Sequence, residues 1–157
     1  MDVAREQERA YASLIADMRL ALPSEIGARS IDDHLRRRSS DPELHALLTR
    51  LNQAGAESVS RLQGLIRDMG GQPKKTSLRR RALARGLAMA SRVTGRRVVL
   101  RICLNAEETV GRWYGAYAGF LLQLGDAERA RVCQELQTVK RVHAQALGAW
   151  VSNMSRE

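Results

Sequence analysis

Few side chains in this 157-residue chain could carry chemistry, and their spacing excludes more than it suggests. The three histidines, His34, His45 and His143, fall in separate stretches. Cys103 and Cys133 form no metal-spaced pair. Both stand among apolar residues at helical spacing, which suits buried thiols in a reducing compartment better than a disulfide or a redox pair. No glycine-rich loop is placed to cradle a phosphate, because Gly70-Gly71 runs into Gln72-Pro73. No spacing points to a Ser-His-Asp or Cys-His set. The chain therefore reads as a protein more suited to binding than to catalysis.

Charge is the positive signal. Lys74, Lys75, Arg79, Arg80, Arg81, Arg85, Arg92, Arg96, Arg97 and Arg101 follow one another with no acid between Asp68 and Glu107. The chain has 26 Lys and Arg against 17 Asp and Glu, a net of +9; ten of these cations lie in that window, so the other sixteen and all 17 acids sum to −1. The high pI of about 10.7 thus belongs to one segment. Such a segment attracts phosphate polyanions, either nucleic acid or an anionic membrane surface, or an acidic protein partner, self-association included. The alternative is a solvated face balanced by acids on neighbouring helices. Aromatic residues are missing from the segment, so nucleic acid would be held by its backbone rather than by base stacking. No small-molecule substrate is implied.

The elements that must position these residues are helices. Val99, Cys103, Ala106, Val110, Trp113 or Tyr114, Tyr117, Leu121 and Leu124 step by three or four, which places them on one helical stripe. Trp113, Tyr114, Tyr117 and Phe120 are four of the six aromatic residues. Gly111, Gly115 and Gly119 recur at helical spacing, where each costs about 1 kcal/mol against alanine. They mark either a close helix approach or room for the rings. Gly125 is a natural C′ residue and Asp126 a natural N-cap, so a second helix over 127–152 must return antiparallel. Its stripe is Val132, Leu136, Val139, His143, Leu147, Trp150 and Met154, which turns His143 inward and leaves Lys140 and Arg141 on the solvated side.

Upstream, Tyr11, Leu14, Ile15, Met18 and Leu22 predict a helix over 6–22 that stops at Pro23. A second short, mostly polar helix over 24–38 follows, with Ile26 and Leu35 as its few apolar anchors. Asp41-Pro42-Glu43 is a helix start with Asp41 as N-cap, and the helix over 42–69 ends at Gly70-Gly71. Lys74 to Ser77 reads as a basic linker and 78–92 as a weak helix, broken at Thr94-Gly95. The expected fold is a single all-α domain, an antiparallel four-helix bundle with one or two short extra helices. The N-terminal stretch lacks the apolar core of a signal peptide, and no apolar run approaches the ~20 residues of a membrane span, so a cytoplasmic protein is expected.

Asp41-Pro42-Glu43-Leu44, Arg61-Leu62, Met69-Gly70-Gly71-Gln72-Pro73, then Glu107 or Glu108, Tyr114 or Tyr117, Leu124-Gly125-Asp126 and His143 together resemble bacterial ferritin-like four-helix-bundle proteins of the stress-induced type. The resemblance covers roughly residues 24 to 151. It implies the bundle fold and, for members that work on iron, a Glu from each of two helices and a Glu-x-x-His from each of the other two. This chain departs from that set. It has no Glu-x-x-His, and the residue three before His143 is Lys140. Glu57 points away from the stripe of its helix. Glu107 is well placed and Glu25 could stand near the first-helix position. Glu107 with His143 is then a candidate remnant metal site for iron. The same pair can equally be a buried hydrogen bond, or His143 can bond Tyr114 or Tyr117. The expectation is a bundle without a metal cofactor that binds partners through Lys74–Arg101.

Overall fold

The computed structural model describes residues 2–73 and 95–154. Four helices fill them: α1 Val3–Arg38, α2 Pro42–Asp68, α3 Arg96–Gln123 and α4 Ala127–Asn153. The described residues contain no strand. The linker at Lys74–Ser77 and the weak helix over 78–92 lie outside the described residues. No described helix is long and apolar enough to cross a membrane.

The first departure from the sequence reading is α1. Helices over 6–22 and 24–38 are one 36-residue helix that passes through Pro23. Proline there removes a backbone donor and crowds the carbonyl one turn earlier, at a cost of about 3 kcal/mol. Burial continues on both sides of it: Met18 and Leu22 precede it, and Ile31 and Leu35 follow. Each such side chain contributes roughly 1.5–3 kcal/mol when withdrawn from water, so tertiary packing outweighs the local break.

The caps hold the other ends as their residue types require. Asp41 accepts hydrogen bonds from the N–H groups of Glu43 and Leu44 at 2.9 and 3.2 Å. Asp126 accepts one from the N–H of Arg129 at 3.2 Å. Gly125 sits at φ +77°, a left-handed conformation that a Cβ would strain. Gly111 and Gly115 face α4 closely: a Cβ on Gly111 would lie 3.3 Å from Lys140 Cβ, and one on Gly115 would lie 2.5 Å from the Gln137 amide. A Cβ on Gly119 would meet nothing. Two of the three glycines therefore serve a close approach of α3 to α4.

The helices pack as two antiparallel hairpins, α1 with α2 and α3 with α4, joined by α1 against α3 and α2 against α4. α1 and α4 are diagonal, as are α2 and α3. α2 and α3 run parallel, so the chain leaves α2 at one end of the bundle and enters α3 at the other. Two apolar clusters fill the interior. One, near the α3–α4 turn, gathers Met18, Leu22, Leu62, Ile66, Tyr114, Leu121 and Leu136. The other gathers Leu35, Leu44, Leu48, Leu100, Cys103, Leu147 and Val151 near the α1–α2 turn.

Candidate functional site: a buried polar layer

Charged side chains meet inside the bundle between these two clusters. Buried side chains avoid charge unless it is paired, yet Glu25, Asp32, Glu107 and Lys140 are 1, 4, 6 and 2% exposed. α1 supplies Glu25 and, two turns on, Asp32. α3 presents Cys103, Glu107 and Tyr114 on one face at spacings of four and seven. α4 supplies Lys140 and His143, three residues apart and therefore on one face. α2 contributes only the buried Ser58. Glu57 is exposed.

Lys140 is the centre of the layer. Its stem crosses the bundle diagonally from α4 to α1, where Nζ lies 2.6 Å from Glu25 Oε2. The same Nζ lies 3.4 Å from both oxygens of Glu107. Tyr114 donates its hydroxyl to Glu25 Oε1 at 2.6 Å, so both oxygens of that carboxylate are engaged. His143 Nδ1 lies 3.2 Å from Glu107 Oε2 and donates to it in the tautomer with hydrogen on that nitrogen. The residues that sequence reasoning singled out, Glu107 and His143, are thus brought together. Neither Tyr114 nor Tyr117 is the histidine's partner: Tyr114 bonds Glu25, and Tyr117 donates to the Asp17 carbonyl at 3.2 Å.

The electrostatics follow from this geometry. Burial by itself would push the Lys140 pKa down, but Glu25 and Glu107 more than reverse this and hold it above the ordinary lysine value. Burial raises Glu107, and the bonds from His143 and Lys140 outweigh that, so its carboxyl stays below the usual range. Asp32 bonds the Cys103 thiol rather than a cation. Burial first, then the charge of Glu107, pushes it up to about 7 against the pull of Lys140. Cys103, buried beside Asp32 and Glu107, is pushed far above a reactive thiol's range. Cys133 is also buried and free, its thiol pushed up to about 12 chiefly by burial.

The second departure concerns α4. Its inward face is Ala130, Cys133, Leu136, Lys140, Leu147 and Val151, rotated from the stripe read in the sequence. Lys140 is inside because two carboxylates await its ammonium. Of the ten basic residues, Arg96, Arg97 and Arg101 are exposed on the first turns of α3; Lys74, Lys75, Arg79, Arg80, Arg81, Arg85 and Arg92 lie outside the described residues. The β-branched run Val98–Ile102 is helical, with Val99 and Leu100 buried and Val98 and Ile102 47 and 39% exposed.

A dinuclear iron centre does not fit these residues. Carboxylates from α1 and α3 and a histidine from α4 are present, but α2 offers no ligand. Three residues before that histidine α4 offers Lys140, whose ammonium has donors and no lone pair. No group of three or more His, Cys, Asp or Glu among the described residues could hold a metal ion.

No protein-family model and no curated protein matches the chain by sequence. Solved structures do match. The bacterioferritin of Desulfovibrio desulfuricans, described with its diiron site in different catalytic states, has a TM-score of 0.73 at 16% identity, over 96% of this chain and 84% of its own. A protein from Xanthomonas campestris pv. campestris gives 0.78 at 17% identity, over 93% of each chain. A ferritin-like, diiron-carboxylate protein from Bacillus anthracis gives 0.71 at 14% identity, over 90% of this chain and 97% of its own. Identities this low speak to the fold, and in fold the chain is a ferritin-like four-helix bundle.

Proposed function

We propose that the chain is a non-catalytic binding or assembly protein whose working surface is the basic end of the bundle, and that its partner is an acidic protein surface. The observation that carries this is the start of α3. Arg96, Arg97 and Arg101 are exposed there, the first turn contains no acid, and the N-cap residue is Gly95, which has no side chain to cap the helix. Cations at a helix N-terminus oppose the macrodipole by a few tenths to about 1 kcal/mol each, a cost that an anionic partner relieves. The last turn of α1, with Arg36, Arg37 and Arg38, lies at the same end. Exposed Val98 and Ile102 flank Arg101. That mixture of apolar and guanidinium groups suits a protein face better than a phosphate backbone.

The test is fluorescence anisotropy with labelled polyglutamate and, separately, duplex DNA, over a salt series. Binding of polyglutamate is expected to weaken as salt rises, and to fall at least tenfold when Arg96, Arg97 and Arg101 are all changed to Glu. Preferential binding of DNA would move the partner to the polyanion class. Binding of neither probe, together with an unchanged sedimentation profile on charge reversal, would sink the proposal.

A second reading keeps the bundle interior as the working site: a ferritin-like metal-binding protein using Glu107 and His143. Their 3.2 Å contact and the diiron descriptions of two structural neighbours favour it. Ferrous iron uptake that depends on Glu107 and His143 and ignores the arginines would select it.

A further inference from the structure

We propose that the Lys140 ammonium is a built-in counter-ion that occupies the interior in place of a metal cation, and that this one side chain decides whether the polar layer accepts a divalent ion. The inference is independent of the partner proposed for the basic end.

Three features support it. First, the ammonium is placed where a shared cation would be placed. It reaches carboxylates on two different helices, Glu25 at 2.6 Å and Glu107 at 3.4 Å, while Tyr114 and His143 occupy other positions on those carboxylates. Second, the route is long and specific. α1 and α4 do not pack on each other, and only an extended side chain from α4 reaches Glu25. Lysine is rare in this chain, with three residues (Lys74, Lys75 and Lys140) against 23 arginines. A compact, flexible point charge suits this interior position, whereas the planar arginine fork is larger and more rigid. Third, the ammonium is shielded: the side chains of Glu25, Glu107 and Lys140 are 1, 7 and 2% exposed, although Glu107 and Lys140 also line the groove between α3 and α4 with Gly111, Gln137 and Ala144. The interior position is thus filled by the ammonium, which a divalent ion would have to displace. Lys140-x-x-His143 already places its first residue on the histidine's helix face, so a carboxylate at that position would turn a cation into a ligand.

The test uses metal-stripped wild type, Lys140→Met and Lys140→Glu, with Zn2+ for thermal unfolding and Co2+ for visible absorption. The wild-type Tm should be indifferent to Zn2+ and to chelator. Lys140→Met strands two buried carboxylates and should lower Tm by roughly 10 °C, part of which Zn2+ restores. Lys140→Glu should bind Co2+ at one or two equivalents with visible bands that disappear on adding Glu107→Ala. Glu107-dependent Co2+ bands in the wild type would overturn the assignment, as would folded variants that respond to neither ion. If neither variant folds, the wild-type arm decides: Glu107-dependent uptake contradicts the assignment and indifference upholds it.

Discussion

Asp32 shows how one residue's surroundings set a pH response. Its buried carboxyl titrates near 7 against an ordinary value of 3.8, because burial and Glu107 disfavour its charge. The native state therefore holds a proton that the unfolded chain has released. Asp32 contributes most stability below about pH 4 and loses that contribution as pH rises toward 7. Asp32→Asn keeps an acceptor oxygen near Cys103 and removes the charge. Denaturant unfolding should find the variant more stable than wild type at pH 8, by on the order of a few kcal/mol, with the difference shrinking toward pH 5. A constant difference across that range would contradict the assignment. Residues of this kind were the hardest to read from sequence. Glu107 and His143 stood on apolar stripes and could be found by spacing. Lys140 and Asp32 could not, because a charged residue at an inward position looks like an outward one until its partners are known, and those partners lie on other helices. The available hint was Lys140 three before His143, on the same helix face; polarity argued for turning it outward, and the buried carboxylates turn it inward.

At the scale of elements, local signals were sufficient wherever local physics decides. Asp41, Pro42, Gly125 and Asp126 fixed helix ends that the structure reproduces, since caps and left-handed glycines act within one turn. Pro23 misled for the converse reason. Its cost is local and legible, whereas the compensation comes from Ile31 and Leu35 packing on α2 and α3, which sequence alone does not display. The helix should therefore carry the proline as a net liability. Pro23→Ala is expected to raise stability by roughly 1–3 kcal/mol, the helix-interior penalty less the unfolded-state entropy that proline removes, with midpoint rather than slope changing in urea unfolding. A destabilised variant would show that Pro23 sets a helix direction the bundle needs.

For the whole molecule, a charged layer divides the apolar interior into two clusters, and the exposed arginines of α1 and α3 gather at one end. The bundle keeps the ferritin-like arrangement of helices, while the charge that a metal would supply comes from the chain itself. Such a layer is a weak source of stability, since desolvation opposes the ion pairs. It does fix which helix faces meet, because any rotation of α4 would strand Lys140 or Glu25.

The most direct measurement of that claim is the 15N-detected side-chain signal of Lys140, assigned by its loss in Lys140→Met. With only three lysines in the chain, the spectrum is simple. The account predicts an ammonium whose protons exchange slowly with water and which stays charged above the pH at which ordinary lysines titrate, unchanged by chelator or by added ferrous iron. A Lys140 signal that exchanges as fast as a surface lysine, or that shifts when iron enters beside Glu107 and His143, would contradict it.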